Sequence, residues 1–184
     1  MKINIIKTEF EGLVVIEPKV FGDERGYFFE SYNYDELKEA GIENNWIQDN
    51  EAFSSYGILR GLHYQKGEFA QAKLVRVIKG KVLDYVIDLR KDSPTFKKGF
   101  GIELSEENKK QLLVPRGFAH AYVVLSETAI FQYKVDNVYN PGSEAGIKFD
   151  DPDLNIDWGV EKSKILISDK DKELPFLKDI SEFF

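Results

Sequence analysis

Lys73-Leu74-Val75-Arg76-Val77-Ile78-Lys79-Gly80-Lys81-Val82-Leu83-Asp84-Tyr85-Val86-Ile87-Asp88-Leu89 carries the clearest strand pattern of the chain. It reads as two strands, Lys73–Ile78 and Val82–Leu89, with Lys79-Gly80-Lys81 joining them as a tight hairpin. Working outward, the same short apolar segments recur between turn signals. They fall at Leu13–Pro18, Tyr27–Tyr32, Trp46–Phe53, Ile58–Tyr64, Lys98–Leu104, Gln111–Val114, Ala119–Leu125 and Thr128–Val135. One short helix is expected at Tyr34–Ala40, ended by Gly41. The last segment, Glu161–Phe184, is mixed in pattern and is expected to pack as short helices or loops. The chain carries no repeat, low-complexity tract or linker. Its 184 residues fit one domain spanning residues 1–184, because domains usually hold ~100–200 residues. The expected fold class is all-β, a double-stranded jelly roll with short peripheral helices.

Strand parity then says which side chains enter the barrel, since alternate residues share a face. Lys73 lies with Val75 and Val77. Tyr133 lies with Ala129, Phe131 and Val135, while Gln132 and Lys134 face the other way. His120 lies with Tyr122 and Val124. Groups that can move protons therefore sit among apolar neighbours, where burial is costly unless something pairs or uses them. Taken singly, each has an ordinary explanation. A lysine at a strand start is usually a solvated end, a tyrosine on an apolar face is usually core, and a lone histidine is more often structural. The convergence of His63, Lys73, His120 and Tyr133 on one cavity is what separates them from those explanations. Arg60 and His63 are three positions apart, so a regular strand sends them to opposite faces, whereas a bulge at Gly61 brings both inward.

Composition sets outer limits. A chain of this size buries roughly 70% of its unfolded surface. Hydrophobic residues make up 42% of it and aromatics 14%, which excludes a disordered chain. No segment approaches the ~20 consecutive apolar residues that cross a bilayer. The start, Lys2-Ile3-Asn4-Ile5-Ile6-Lys7-Thr8-Glu9, meets charge too early for a secretory signal. With Cys at 0 there is no disulfide, thiolate nucleophile or sulfur-ligated metal, and a cytoplasmic address follows as the default. The net charge of −7 argues against nucleic-acid binding. An anionic small molecule would need local arginine and lysine to reverse the field in its pocket, which singles out the scarce arginines Arg25, Arg60, Arg76, Arg90 and Arg116.

The chain has only 2 histidines, and each sits in a distinctive run. One is Gly57-Ile58-Leu59-Arg60-Gly61-Leu62-His63-Tyr64-Gln65; the other is Pro115-Arg116-Gly117-Phe118-Ala119-His120. These resemble the two half-motifs of the cupin superfamily, whose barrels often hold a metal between histidines. Here the usual His-x-His pair is reduced to His63 and Gln65, and Lys73 lies near the position of the glutamate ligand. The resemblance therefore implies a cupin-like barrel turned to metal-free proton chemistry, with no metal and no cofactor.

A narrower resemblance covers most of the chain, from about Arg25 to Asp171. Phe21-Gly22-Asp23-Glu24-Arg25-Gly26-Tyr27-Phe28-Phe29-Glu30, Gln48-Asp49-Asn50, Arg60-Gly61-Leu62-His63-Tyr64-Gln65, Lys73-Leu74-Val75, the His120 motif, Tyr133-Lys134 and Asp150-Asp151-Pro152 are similar in order and spacing to the dTDP-4-dehydrorhamnose 3,5-epimerase family. The resemblance implies an isomerase that inverts carbons 3 and 5 of dTDP-4-dehydro-6-deoxy-D-glucose, giving dTDP-4-dehydro-L-rhamnose. It assigns His63 as base with Asp171 as its partner, Lys73 as the cation facing the enolate, and Tyr133 as the acid on the opposite face. It implies substrate contacts at Arg25, Glu30, Gln48, Asp49, Asn50, Arg60, His120, Tyr139, Glu144 and Lys170. Arg60, Arg25 and Lys170 fall at the diphosphate and Tyr139 at the thymine. Family members are homodimers, so Arg25 and Glu30 are expected to complete a neighbour's pocket. The chain departs from the family's usual pattern at Ala72, before the lysine, and at Ala121-Tyr122, after the second histidine; both line the expected cavity. Other readings use the same fold: a related 3-epimerase, 5-epimerase or ketoisomerase of nucleotide sugars, a metal-dependent oxygenase, or a sugar-binding protein without activity. Tyr133 favours full epimerisation, and Gln65 and Lys73 argue against the oxygenase.

Overall fold

A computed structural model describes residues 2–184. Its strands are β1 (Ile3–Lys7), β2 (Val14–Pro18), β3 (Phe21–Asp23), β4 (Gly26–Phe28), β5 (Gln48–Ser55), β6 (Leu59–Gln65), β7 (Lys73–Lys79), β8 (Lys81–Asp88), β9 (Gly99–Ser105), β10 (Gln111–Val114), β11 (Phe118–Val124), β12 (Thr128–Val135) and β13 (Glu144–Gly146). Two short helices, α1 (Tyr34–Glu39) and α2 (Asp169–Lys172), lie outside the sheets. The larger sheet has the order β1-β2-β10-β7-β12-β5 and the smaller β13-β6-β11-β8-β9. Neighbouring strands in both are antiparallel. This is the jelly-roll architecture expected from the strand pattern. Among the described residues no helix is long and apolar enough to cross a membrane.

The alternation in β7 and β12 builds the space between the sheets. Val75, Val77, Ala129 and Phe131 face inward and meet Val82, Val86, Phe118, Tyr122 and Val124 from the other sheet. The reverse face of β7 carries Leu74, which packs with Leu37 of α1. β11 is buried along its whole length. One of its faces looks into the barrel, and Ala119, Ala121 and Val123 on the other are covered by the C-terminal segment through Trp158 and Leu177. Helix α1 begins where Asn33 accepts a hydrogen bond from the Glu36 amide, a side-chain N-cap.

Three expectations need correction. The strands flanking Lys79-Gly80-Lys81 do not form a hairpin: β7 pairs with β10 and β12, whereas β8 pairs with β11 and β9. Both edges of each strand are taken by distant partners, so the turn carries the chain from one sheet to the other. Gly80 is required there, since its φ is +77° and a Cβ would lie 2.0 Å from the Thr128 carbonyl. The strand expected at Tyr27–Tyr32 stops at Phe28 and belongs to a separate two-stranded hairpin with β3. Finally β1 and β13 form although their sequences gave no strand signal; each completes a sheet edge by pairing with β2 or β6.

Candidate active site

The register places His120 of β11 directly opposite His63 of β6. Two residues along β11, Tyr122 pairs with Arg60, so β6 spends three residues where β11 spends two. That extra residue is the bulge expected at Gly61. Its φ is +121°, and a Cβ would lie 2.5 Å from the His120 carbonyl, a conformation and a contact open only to glycine. The bulge turns Arg60 and His63 onto one wall. They line a cavity of about 500 Å³ together with Lys73, His120, Tyr133 and Asp171. A smaller cavity of about 120 Å³ shares His63, Lys73 and Tyr133 and is also lined by Tyr139 and Glu144.

The two histidines are held alike. His63 Nε2 donates to Asp171 Oδ1 at 2.6 Å. Burial alone would raise the Asp171 pKa, but bonds from His63, Ser168 and the Gly61 amide hold it below the ordinary carboxylate value. Asp171 sits in the first turn of α2, capped by Ser168, whose hydroxyl accepts from the Asp171 amide at 3.1 Å. His120 Nε2 donates to both oxygens of Asp84, each at 2.9 Å. Asp84 is fully buried and His120 nearly so. The sequence reading missed Asp84, although it shares its strand face with Val82 and Val86; a carboxylate on an apolar face was the available signal.

Lys73 stands at the start of β7 with its Nζ 6.0 Å from the Tyr133 ring centre. Desolvation lowers its pKa to about 8, against the pull of Asp84 and Glu144, which favour the ammonium. Burial raises the Tyr133 pKa, the charge of a neighbouring Tyr122 phenolate would add to this, and Arg60 works the other way. At neutral pH the cavity thus offers a mostly protonated amine and a protonated phenol. Among the described residues no cluster of three or more His, Asp or Glu side chains is arranged to hold a metal ion.

The remaining expected contacts divide. Lys170 lines the main cavity and its Nζ pairs at 2.5 Å with Glu144 of the smaller one; Tyr139 donates to the same Glu144 oxygen at 2.5 Å. Gln48 and Asn50 lie on the Tyr133 face of edge strand β5, bonded to each other at 2.7 Å, but line neither cavity. Asp49 is on the opposite face, because strand alternation turns it outward, where Lys134 binds it at 2.8 Å. It is not brought to this cavity, contrary to the expectation. Arg25 is 89% exposed at the turn of the β3–β4 hairpin and pairs with Asp23, while Glu30 is bonded to Lys2 and Asn33. Neither lines either cavity.

Comparison with known proteins agrees with this geometry. Residues 7–179 match the family model described as dTDP-4-dehydrorhamnose 3,5-epimerase. The chain is 51% identical over 170 residues to the dTDP-4-dehydrorhamnose 3,5-epimerase of Shigella flexneri, covering 92% of this chain and 93% of the relative. The crystal structure of dTDP-4-dehydrorhamnose 3,5-epimerase from Elizabethkingia anophelis NUHP1 superposes with a TM-score of 0.94 at 51% identity, covering 99% of this chain and 100% of the other. That of the Legionella pneumophila dTDP-6-deoxy-D-glucose-3,5-epimerase, solved in complex with dTDP-4-keto-L-rhamnose, superposes at 0.92 with 45% identity, covering 97% and 94%. With the fold, the cavity and these relatives in agreement, the chain belongs to the dTDP-4-dehydrorhamnose 3,5-epimerase family.

Proposed function

We propose that the chain takes dTDP-4-dehydro-6-deoxy-D-glucose and inverts carbons 3 and 5, using its own side chains for the proton transfers. The observation that carries this reading is a single cavity lined by a carboxylate-bound imidazole, a protonated phenol and a cationic amine. A hydrogen beside the C4 ketone is weakly acidic, so its removal needs both a base and a group to stabilise the oxygen on which charge develops. His63 takes the proton: Nε2 is occupied by Asp171, which leaves the Nδ1 lone pair as the acceptor. The C–H electron pair moves into the ring and on to the C4 oxygen, where Lys73 donates to the enolate, with His120 lining the same cavity. Tyr133 then delivers its hydroxyl proton to the opposite face of the same carbon. The phenol and imidazole then return to their starting states by exchange with water, and a second cycle at the other carbon, followed by the same reset, completes the change.

Arg60 supports the assignment of the diphosphate. Its Nε donates to Ser54 Oγ, and among the described residues no carboxylate pairs with its guanidinium. Arg25, Arg90 and Arg116 are each neutralised by an aspartate. An unpaired guanidinium at a cavity wall is an anion site in a chain of net charge −7. The reading includes a homodimer, in which the exposed β3–β4 hairpin lends Arg25 and Glu30 to the neighbouring copy, and a cytoplasmic address.

The test is exchange in deuterated water followed by NMR. The substrate should take up deuterium at carbons 3 and 5, and His63→Ala should slow exchange by about 10²–10⁴-fold. Near-normal exchange in that variant would remove the assigned base. Tyr133→Phe should retain more exchange than inversion; equal loss of both would count against the opposite-face acid, and label at one carbon alone would mark a single-carbon epimerase.

A further inference from the structure

We infer that Tyr122 is a positioning residue whose hydroxyl, acting through Ser54, aims the Arg60 guanidinium into the cavity and so sets affinity for the substrate's diphosphate. The inference rests on the reading of Arg60 as a diphosphate contact.

Three strands meet at this point. Arg60 of β6 and Tyr122 of β11 are register partners in the smaller sheet, while Ser54 of β5 comes from the larger one. Arg60 Nε donates to Ser54 Oγ at 3.2 Å, and Ser54 Oγ shares a hydrogen bond with Tyr122 Oη at 3.4 Å. Ser54 is 2% exposed and Tyr122 5%. The Tyr122 ring is stacked on Phe131, with centres 4.1 Å apart and planes within 16°, so its hydroxyl has a fixed direction. A phenylalanine would serve that stack equally well. Burying the hydroxyl is therefore an expense that packing does not explain; its partner Ser54, and through it Arg60, does. Arginine carries a long, flexible stem, and its value to an anion lies in presenting two terminal nitrogens as a fork. Anchoring Nε fixes the plane of that fork, beside the Tyr122 hydroxyl. Tyr122 lines the same cavity, but among the described residues it has no bond to His63, Lys73 or Tyr133 that would give it a part in proton transfer.

Calorimetric binding of dTDP and of thymidine, together with steady-state kinetics, tests this. Tyr122→Phe keeps the stacked ring and should weaken dTDP binding about 3- to 10-fold, the range for loss of one hydrogen bond. KM should rise by a similar factor, with kcat changed less than about twofold and thymidine binding unaltered. Ser54→Ala should weaken dTDP binding similarly, and the double variant should be no worse than the poorer single one. Unchanged dTDP affinity in Tyr122→Phe would overturn the inference. So would an equal loss for thymidine, or a fall in kcat at constant KM. Arg60→Ala separates the two levels of the reading. If it leaves dTDP affinity intact, the diphosphate assignment itself fails; if it weakens dTDP while Tyr122→Phe does not, only the positioning role of Tyr122 is lost.

Discussion

The molecule contains two histidine–aspartate pairs built from the same parts and set in different surroundings. In both, Nε2 donates to the carboxylate and the other ring nitrogen is left over. The His63 ring is 31% exposed, against 7% for His120. Asp171 arrives on a four-residue helix 108 positions away in sequence, and Asp84 from the strand next to β11. An imidazole open to the cavity can exchange protons with a ligand. His120 lines the same cavity but is almost covered and bound to a fully buried carboxylate, and losing either member of that pair would strand the other in low dielectric. The lesson is that the pairing alone does not make a base; solvent and ligand access do.

The sharpest way to break that contrast is Asp171→Asn. It should keep the hydrogen bond but lose the charge that stabilises the imidazolium, lowering kcat by about 10²–10⁴-fold; a loss under tenfold would mean that the open pair is not the proton-transfer pair. Lys73→Ala should reduce kcat by about 10²–10³-fold, as for other lost oxyanion donors. It should also remove a limb from the pH profile. Because desolvation brings Lys73 to about 8, the ammonium is lost as pH rises through that value. In the unmodified protein kcat/KM, which reports the free enzyme, should therefore fall on the alkaline side. A limb that survives in Lys73→Ala belongs to another group. Asp84→Asn probes the sealed pair and should cost about 10- to 100-fold. Since Asp84 favours the charged form of Lys73, the alkaline limb should also move to lower pH, and an unmoved limb would show the two groups to be independent. Asp49→Ala should change kcat/KM by less than twofold, because its carboxylate is tied to Lys134 on the outer face; a larger fall would mean that the outer face takes part.

How far this was legible in the sequence follows from the range of each interaction. The alternation in Lys73–Val77 and Ala129–Val135 is local, and it gave the inward faces of β7 and β12 correctly. Pairing is not local: nothing within Lys73–Leu89 says that both strands take distant neighbours instead of each other. The Gly61 bulge could be anticipated because Arg60 and His63 had the wrong parity for a shared wall. Asp84 could have been read by the same parity and was not. Asp171 came from the family resemblance alone, since Ser168-Asp169-Lys170-Asp171 read locally gives only a capped turn. The hairpin bearing Arg25 makes no sheet contact with the barrel, so no periodicity within the chain could tie that residue to the cavity.

The bulge at Gly61 has a mechanical consequence. It seats the guanidinium and the basic imidazole on one wall within four consecutive residues. Their backbone spacing is therefore set within a single strand, while Ser54 from the other sheet and Asp171 from α2 orient the two side chains. Under the proposed reading the strand acts as a gauge block, the span from diphosphate contact to base being laid out along covalent backbone.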